Sequence, residues 1–143
     1  MSKFRIHKPV EHLPTFEEYS ITRLSLEQIL ATCGKVWNGA MCLDGQYWYV
    51  SHEDWGKIFA DVLLNMPKYT KDRWDCDNFA FLTKCRVEEK YRLNAIAIVM
   101  GNSPFGYHAW NWFFDGLWHQ LEPQTGDVFD VDKNGYIADW ILI

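Results

Sequence analysis

The sequence predicts an α+β domain in which N-terminal helices pack on a C-terminal antiparallel sheet. Two observations support this class. Over roughly the first two thirds of the chain, apolar residues recur at three- and four-residue steps, which is typical of helices; further on the period changes to two, which is typical of strands. The length of 143 residues and the hydrophobic content of 48% suit a single domain over residues 1–143.

Three helices and one short strand are expected in the helical part. The first helix begins at Ser25 and the second at Ser51, because each serine opens a capping-box pattern. Asp44-Gly45 predicts a turn, and residues 45–51 have the composition of a short strand that follows it. Pro67 marks the end of the second helix, since proline cannot continue it. The third helix is expected over residues 76–91, with its first residue in or just before the first turn.

The C-terminal part is expected to consist of antiparallel strands joined by tight turns. Asp115-Gly116 predicts a type I′ turn between two strands, and Asn134-Gly135 predicts the turn of a second hairpin. The expected strands cover residues 94–100, 108–114 and 117–123, followed by a hairpin over residues 127–143.

The composition argues against several classes of function. The net charge of −5 opposes binding to a phosphate backbone, which needs a basic face. No apolar run approaches the ~20 residues of a membrane span, and the first residues lack the apolar core of a secretory signal. We therefore expect a cytoplasmic protein with neither nucleic acid nor membrane as a partner. Aromatic residues make up 17% of the chain, with eight tryptophans, which suggests a wide core and an aromatic ligand groove.

Cys76 is the most distinctive of the four cysteines. No pair has C-x-x-C spacing and no histidine is suitably spaced, so free thiols fit better than structural zinc or a disulfide framework. In "WDCDNFAF", Cys76 lies between Asp75 and Asp77 at the expected start of a helix. The helix N-terminus favours a thiolate, whereas the two carboxylates disfavour it, so a thiolate here would need a nearby cation. An unreactive buried cysteine is the alternative.

His108 and Glu122 are the residues best placed to assist Cys76. His108 opens a predicted strand and can supply an imidazolium. Because His108 and Glu122 lie at similar separations from the Asp115-Gly116 turn, antiparallel pairing is expected to bring them about 5 Å apart on one face. Taken singly, each has a simpler interpretation, as a structural histidine and a solvated carboxylate.

Three short strings resemble one known family. "DCDNFA", "HAWNW" and "LEPQTG", within about residues 45 to 130, resemble the papain-like C-terminal peptidase domain of the fungal chimerolectins, an agglutinin family whose peptidase module is calcium-activated. The resemblance implies a papain-like fold and a cysteine peptidase or amidase, a thiol hydrolase acting on a peptide or protein substrate. Its catalytic nucleophile would be Cys76, its base His108 and its orienting residue Glu122. Nothing in the sequence corresponds to the β-trefoil of those proteins, so sugar binding is not implied.

The implied chemistry forms an acyl-enzyme and requires no cofactor. His108 would take the proton of Cys76 and return one to the leaving amine, while Glu122 holds the imidazole. The Cys76 N–H offers half of an oxyanion hole. Two alternatives stay open: a transglutaminase-like acyl transferase, and a non-catalytic binding or structural module on the same scaffold. The candidates for the second oxyanion donor are Gln124, Asn111 and Trp74.

Two acidic stretches are candidates for binding Ca²⁺. Asp75, Asp77 and Asn78 offer oxygen ligands that suit this ion, and the resemblance points the same way. Asp75 has an alternative role as a helix cap. Residues 130–135 mimic the start of an EF-hand loop, but the twelfth position is Ile141 instead of glutamate, so a hairpin turn is the preferred interpretation.

Overall fold

The computed structural model describes residues 10–33, 39–131 and 133–143. Within these ranges no helix is long and apolar enough to cross a membrane. The described residues form three helices: α1 (Arg23–Cys33), α2 (His52–Val62) and α3 (Cys76–Tyr91). They form eight strands: β1 (Tyr19–Thr22), β2 (Gly39–Met41), β3 (Gln46–Tyr49), β4 (Ile96–Ser103), β5 (Gly106–Phe114), β6 (Trp118–Glu122), β7 (Asp127–Asp130) and β8 (Ile137–Leu142).

Six strands form one mixed sheet in the order β2-β8-β4-β5-β6-β7, while β1 and β3 form a separate pair. β2 runs parallel to β8, and the remaining neighbours are antiparallel. The predicted α+β, papain-like arrangement, with helices first and an antiparallel sheet after them, is therefore wrong. Strands β1, β2 and β3 precede α2, and the partner of β2 comes from the far end of the chain, where local periodicity gives no information about it.

The central strands are buried on both faces of the sheet. Trp112 of β5 belongs to the same apolar cluster as Leu26 of α1. The next residue, Phe113, belongs to the cluster that contains Trp55 of α2. Because successive strand residues point to opposite faces, the sheet lies between two apolar layers. This burial explains why the sequence of β4 is a nearly continuous apolar run instead of a strict alternation.

Side-chain caps set the starts of the first two helices. α2 begins as predicted, with Ser51 as the N-cap, and the Ser51 Oγ accepts a hydrogen bond from the Asp54 N–H at 3.2 Å. α1 begins two residues earlier than predicted. Thr22 precedes it, and the Thr22 Oγ1 accepts a hydrogen bond from the Ser25 N–H at 3.3 Å, so Ser25 lies inside the helix.

α3 has the predicted bounds and places Cys76 as its first residue. Asp75 is the N-cap, and its N–H donates to the Asn78 Oδ1 at 3.1 Å. The side chain of Asn78 thus replaces one of the backbone partners that a helix start lacks. The thiol is fixed at the positive end of the helix dipole.

The hairpin between β5 and β6 is confirmed, but its turn differs from the prediction. Phe114 pairs with Trp118, so three residues form the connection instead of two. Gly116 has a φ of 118°, whereas Asp115 is not among the residues with positive φ. A type I′ turn needs positive φ at both central positions, so the turn is of another type.

The predicted second hairpin is wrong. β7 pairs with β6, whereas β8 pairs with β4 and β2 on the other side of the sheet. Asn134 and Gly135 do have positive φ, 59° and 75°, so this dipeptide turns the chain as expected. The turn lies within a connection that crosses from one part of the sheet to another. Asp132 of the EF-hand-like stretch lies outside the described residues.

Candidate functional site

The side chains of His108 and Glu122 meet at the edge of the sheet where β5 begins and β6 ends. Nε2 of His108 lies 2.7 Å from Oε2 of Glu122, and the two side chains are 11% and 8% exposed. Since a carboxylate accepts hydrogen bonds, Nε2 is the donor in this contact. In the neutral ring, Nδ1 is then the nitrogen that can accept a proton from another group.

The strand register brings this pair together diagonally. Trp112 of β5 lies directly opposite Gln120 of β6. Continuing this register puts Glu122 opposite Trp110, so His108 lies two positions further along β5. The additional residue in the turn displaces the pairing from the expected position. Diagonal neighbours on one face are still within reach of long side chains, and the predicted proximity of the two residues holds.

Glu122 is held by two further hydrogen bonds. The Tyr136 hydroxyl donates to Oε2 at 3.1 Å, and the Gln124 N–H donates to Oε1 at 3.1 Å. Burial and the Glu122 charge raise the pKa of Tyr136 to about 12, so the phenol stays protonated and remains a donor. No sequence pattern indicated Tyr136 as part of this site. The nearest local signal is the Asn134-Gly135 turn just before it, which does not reveal the partner.

Two aromatic rings fix the orientation of the imidazole. The His108 ring stacks on Trp110 with centroids 6.1 Å apart and an interplanar angle of 14°. Tyr136 meets the same ring edge-on at 5.9 Å. The indole of Trp110 is itself fixed, because its Nε1–H donates to the Gln120 Oε1 at 2.8 Å. The pair of His108 and Glu122 therefore belongs to a rigid aromatic layer.

Cys76, the first residue of α3, lies in the same region. It is a free, half-buried cysteine that packs against Ala80, Ile98 and Ala109. Ala109 follows His108 on β5, so their side chains point to opposite faces. Among the described residues no hydrogen bond joins the Cys76 Sγ to His108. A preformed thiol–imidazole pair is therefore not part of this arrangement.

All three predicted site residues nevertheless line one open cleft of about 750 Å³. Its size is within the range of small-ligand sites. The rim includes Phe105 and Tyr107, which are 86% and 61% exposed. The remaining lining residues are aromatic or polar for the most part: Tyr69, Pro104, Gln124, Thr125, Asp127, Val128, Phe129, Asn134 and Tyr136.

The three candidate oxyanion donors have different surroundings. Asn111 is fully buried, and its Nδ2 donates to the carbonyls of Ala80 and Ala97, both at 3.0 Å, so this amide is already occupied. The Trp74 indole N–H is buried without a partner among the described residues. Gln124 lines the cleft and is the candidate with access to a ligand there.

The carboxylates of Asp75 and Asp77 lie together beside the thiol. One oxygen of each and the Cys76 Sγ are all within 4.8 Å of one another. A hydrogen bond to the Asp75 carboxyl, partial burial and the Asp75 charge raise the pKa of Asp77. Two adjacent carboxylates are the hard oxygen ligands that Ca²⁺ prefers, whereas the thiol is not such a ligand. The donor set therefore fits a calcium ion held by Asp75 and Asp77.

Comparison with known proteins shows the fold through solved structures. No protein-family model and no curated protein matches the chain. A complex of PSL1a with E64 superposes with a TM-score of 0.72 at 24% identity, covering 87% of this chain and 51% of that one. Polyporus squamosus lectin bound to the human-type influenza-binding epitope Neu5Aca2-6Galb1-4GlcNAc gives a TM-score of 0.70 at 21% identity, covering 87% and 49%. The chain spans about half the length of these structures.

These findings correct the assignment made from sequence. One of the two solved structures is described as a lectin, and neither description names a peptidase. The predicted papain-like cysteine protease, with its hydrolase and thiol-protease classes and its peptide substrate, is therefore withdrawn. The physical reason lies in the site, because among the described residues the Cys76 Sγ makes no hydrogen bond to the His108 ring, whose Nε2 pairs with Glu122. The roles of Cys76, His108 and Glu122 are left as proposals.

Proposed function

We propose that this domain is a ligand-binding module whose ligand occupies the cleft lined by Cys76, His108 and Glu122. One observation carries the proposal. The hydrogen bond between His108 and Glu122 fixes an imidazole whose Nδ1 is available as a proton acceptor in a cleft that also contains a thiol. This combination equips the cleft to recognise a polar ligand and to react with an electrophilic one.

The lining of the cleft indicates the chemistry of the ligand. Aromatic side chains, among them Tyr69, Tyr107 and Phe129, offer flat apolar surfaces for stacking. Between them, Gln124 and Asp127 offer polar groups that orient a ligand. Of the two ligands of the comparable structures, E64 and a sialylated trisaccharide, we infer that E64 is the better probe of this cleft, because the inferred recognition involves the thiol and the imidazole.

The reactivity of the thiol is measured with iodoacetamide. In this reaction the Cys76 sulfur bonds to the methylene carbon, iodide leaves, and the thiol proton passes to Nδ1 of His108. We expect Cys76 to be alkylated at least about tenfold faster than Cys85, which is exposed on the same helix and is not among the residues that line the cleft with His108. His108→Ala and Glu122→Gln are expected to slow the labelling of Cys76, and peptide mass mapping follows each thiol separately.

Ligand protection tests the occupant of the cleft. Prior incubation with E64 is expected to prevent alkylation of Cys76 and to leave Cys85 unchanged, which makes Cys85 the internal control. Protection by the trisaccharide instead of E64 would favour a carbohydrate ligand at the same cleft. Equal alkylation of Cys76 and Cys85, with no protection by either compound, would overturn the proposal.

We also propose that Ca²⁺ binds to Asp75 and Asp77. The support is the proximity of the two carboxylates, with the pKa of Asp77 raised by its hydrogen bond to Asp75, by partial burial and by repulsion from the Asp75 charge. A divalent cation removes this repulsion. Because the two carboxylates belong to the residues on either side of Cys76, a bound ion is expected to alter the local charge that the thiol experiences.

A further inference from the structure

A cluster of two histidines and one aspartate lies outside the cleft. His52 is the first residue of α2, Asp115 lies in the turn between β5 and β6, and His119 lies on β6. Nδ1 of His52 is 2.7 Å from Oδ2 of Asp115, and Nε2 of His119 is 3.0 Å from the same oxygen. One ligand atom from each residue lies within 4.8 Å of the other two.

We propose that His52, Asp115 and His119 bind a divalent transition metal ion, with Zn²⁺ as the ion that matches them best. Two imidazole nitrogens and one carboxylate oxygen are a common zinc ligand set, completed by water. Ca²⁺ and Mg²⁺ prefer sites made of oxygen ligands and do not suit two imidazoles.

The geometry requires only a small expansion of the cluster. Ligands at about 2.1 Å from a tetrahedral zinc ion lie roughly 3.4 Å from one another. The contacts of 2.7 and 3.0 Å must therefore lengthen by about 0.7 and about 0.4 Å. The His52 side chain is 58% exposed, so it can move by this amount without disturbing the core. It also leaves the fourth position accessible to water.

The surroundings hold the other two ligands in place. The Leu117 N–H donates to the Asp115 Oδ1 at 3.1 Å. The His119 ring stacks on Phe113 at 5.3 Å, and its Nδ1 lies 4.0 Å from an oxygen of Asp130. A carboxylate near the second nitrogen is a usual feature of metal-bound histidine.

The cluster is separate from the proposed ligand cleft. Asp115 follows the last residue of β5, whereas His108 lies near its first residue. Seven residue steps of extended chain lead from one to the other, which corresponds to roughly 23 Å. A metal ion here would join the start of α2 to the turn between β5 and β6, two segments that are distant in sequence.

Binding is measured by calorimetric titration of the metal-free full chain with Zn²⁺ and by its thermal unfolding. We expect one equivalent of Zn²⁺ to bind at this cluster and to raise the midpoint of thermal unfolding. His52→Gln and His119→Gln are each expected to weaken this binding at least about tenfold. His12→Gln is the matched control, since His12 pairs with Glu18 outside the cluster.

Two results would overturn the proposal. If His52→Gln and His119→Gln bind Zn²⁺ as tightly as the parent chain, the ion binds elsewhere; the same titration of Cys76→Ser shows whether the thiol holds it. If the parent chain binds no Zn²⁺ at millimolar concentration, the cluster is a hydrogen-bonded contact alone. Circular dichroism verifies folding, and His52→Gln decides the outcome if His119→Gln does not fold.

Discussion

At the scale of single residues, Glu122 depends on donors from three segments of the chain. His108 comes from β5, Gln124 follows β6, and Tyr136 precedes β8. The proximity of His108 and Glu122 could be predicted because a hairpin fixes the distance between its own strands. Tyr136 could not, since its approach depends on a connection that crosses the sheet. Local patterns therefore give part of the site and omit the donor that completes it.

Because the pKa of Tyr136 is raised in the folded chain, the free energy of unfolding is expected to fall at high pH. The folded chain holds the phenol proton up to about pH 12, whereas an unfolded tyrosine releases it near its ordinary pKa of about 10. The stabilisation is thus complete below about pH 10 and is lost as pH rises towards 12. Tyr136→Phe is expected to remove this part of the decline, up to about 2 kcal/mol.

Urea unfolding at pH 9 and pH 11 measures the effect. Tyr91 provides a comparison, because burial and a hydrogen bond to Asp61 raise its pKa to about 12 as well. Tyr91→Phe should also reduce the loss of stability over this pH range, and the double variant should reduce it further. An unchanged decline in Tyr136→Phe would show that the phenol does not contact a charged Glu122.

Asp77 gives a second prediction: the effect of Asp77→Asn on stability is expected to have opposite signs with and without calcium. Because the pKa of Asp77 is raised in the folded chain, its contribution to stability falls as pH rises through that pKa. Asp77→Asn is therefore expected to be more stable than the parent at pH 7 in a chelator, by less than about 1 kcal/mol because the residue is exposed. Near pH 3 the difference should disappear.

With millimolar Ca²⁺ the parent chain should be more stable than Asp77→Asn. The parent chain gains the energy of ion binding, whereas Asp77→Asn has lost a ligand. Thermal unfolding of both chains, in chelator and in Ca²⁺, gives the four unfolding midpoints to be compared. A parent midpoint that is unaffected by Ca²⁺ would contradict the calcium site while leaving the prediction for the chelator intact.

At the scale of elements, the pairing of β4 with β8 depends on a glycine. The register of the two strands shifts between Met100 and Gly101. A Cβ at Gly101 would lie 2.1 Å from the carbonyl oxygen of Ile137, which is part of the backbone and cannot move aside. Gly101→Ala is therefore expected to destabilise the protein by about 3 kcal/mol or more, measured by denaturant unfolding.

Gly56 in α2 is the matched control for this change. A Cβ there meets nothing within 4 Å, and alanine favours a helix more than glycine does. Gly56→Ala should stabilise the chain by about 1 kcal/mol. Equal stabilities for Gly101→Ala and the parent would mean that β4 and β8 do not approach each other as closely as described.

Helix α3 shows where periodicity succeeds and where it fails. Ala80, Thr83 and Val87 are buried, as their three- and four-residue spacing predicts. Lys84 carries a charge that favours the solvent side, yet it is only 8% exposed, and its Nζ donates to the carbonyl of Ile96 at 2.6 Å. A long side chain can cover apolar surface with its stem while its amine finds a polar partner. Residue type alone does not reveal that partner.

At the scale of the whole molecule, the sheet joins segments that lie about a hundred residues apart in sequence. Gly39 in β2 lies beside Trp140 in β8, a pairing that no local pattern predicts. The pairing of strands that are adjacent in sequence can be predicted, as for β5 and β6, because a short connection allows few arrangements, although the type of the turn differed here. Pairings across about a hundred residues are set by the fit of the complete core, which is why the predicted fold class failed while several individual elements were correct.

The two apolar layers predict cooperative unfolding. Trp110 and Trp112 lie in the layer that includes α1, and Trp55 lies in the layer that includes α2. Since both layers pack on the same strands, neither should persist without the other. We expect the transitions observed by tryptophan fluorescence and by far-ultraviolet circular dichroism to coincide during urea unfolding. Separate midpoints would show that α1 and the β1–β3 pair form an independent unit.

The order of the strands also affects how the protein behaves at high concentration. Strands β4 and β5, long and rich in apolar residues, have neighbours on both sides, so their amides and carbonyls are engaged within the molecule. Within the described residues, the outermost positions belong to β2 and β7, which have three and four residues. Edge strands this short offer another chain few unpaired backbone groups for hydrogen bonding. We therefore expect this aromatic-rich sequence to resist the edge-to-edge stacking that leads to fibrils.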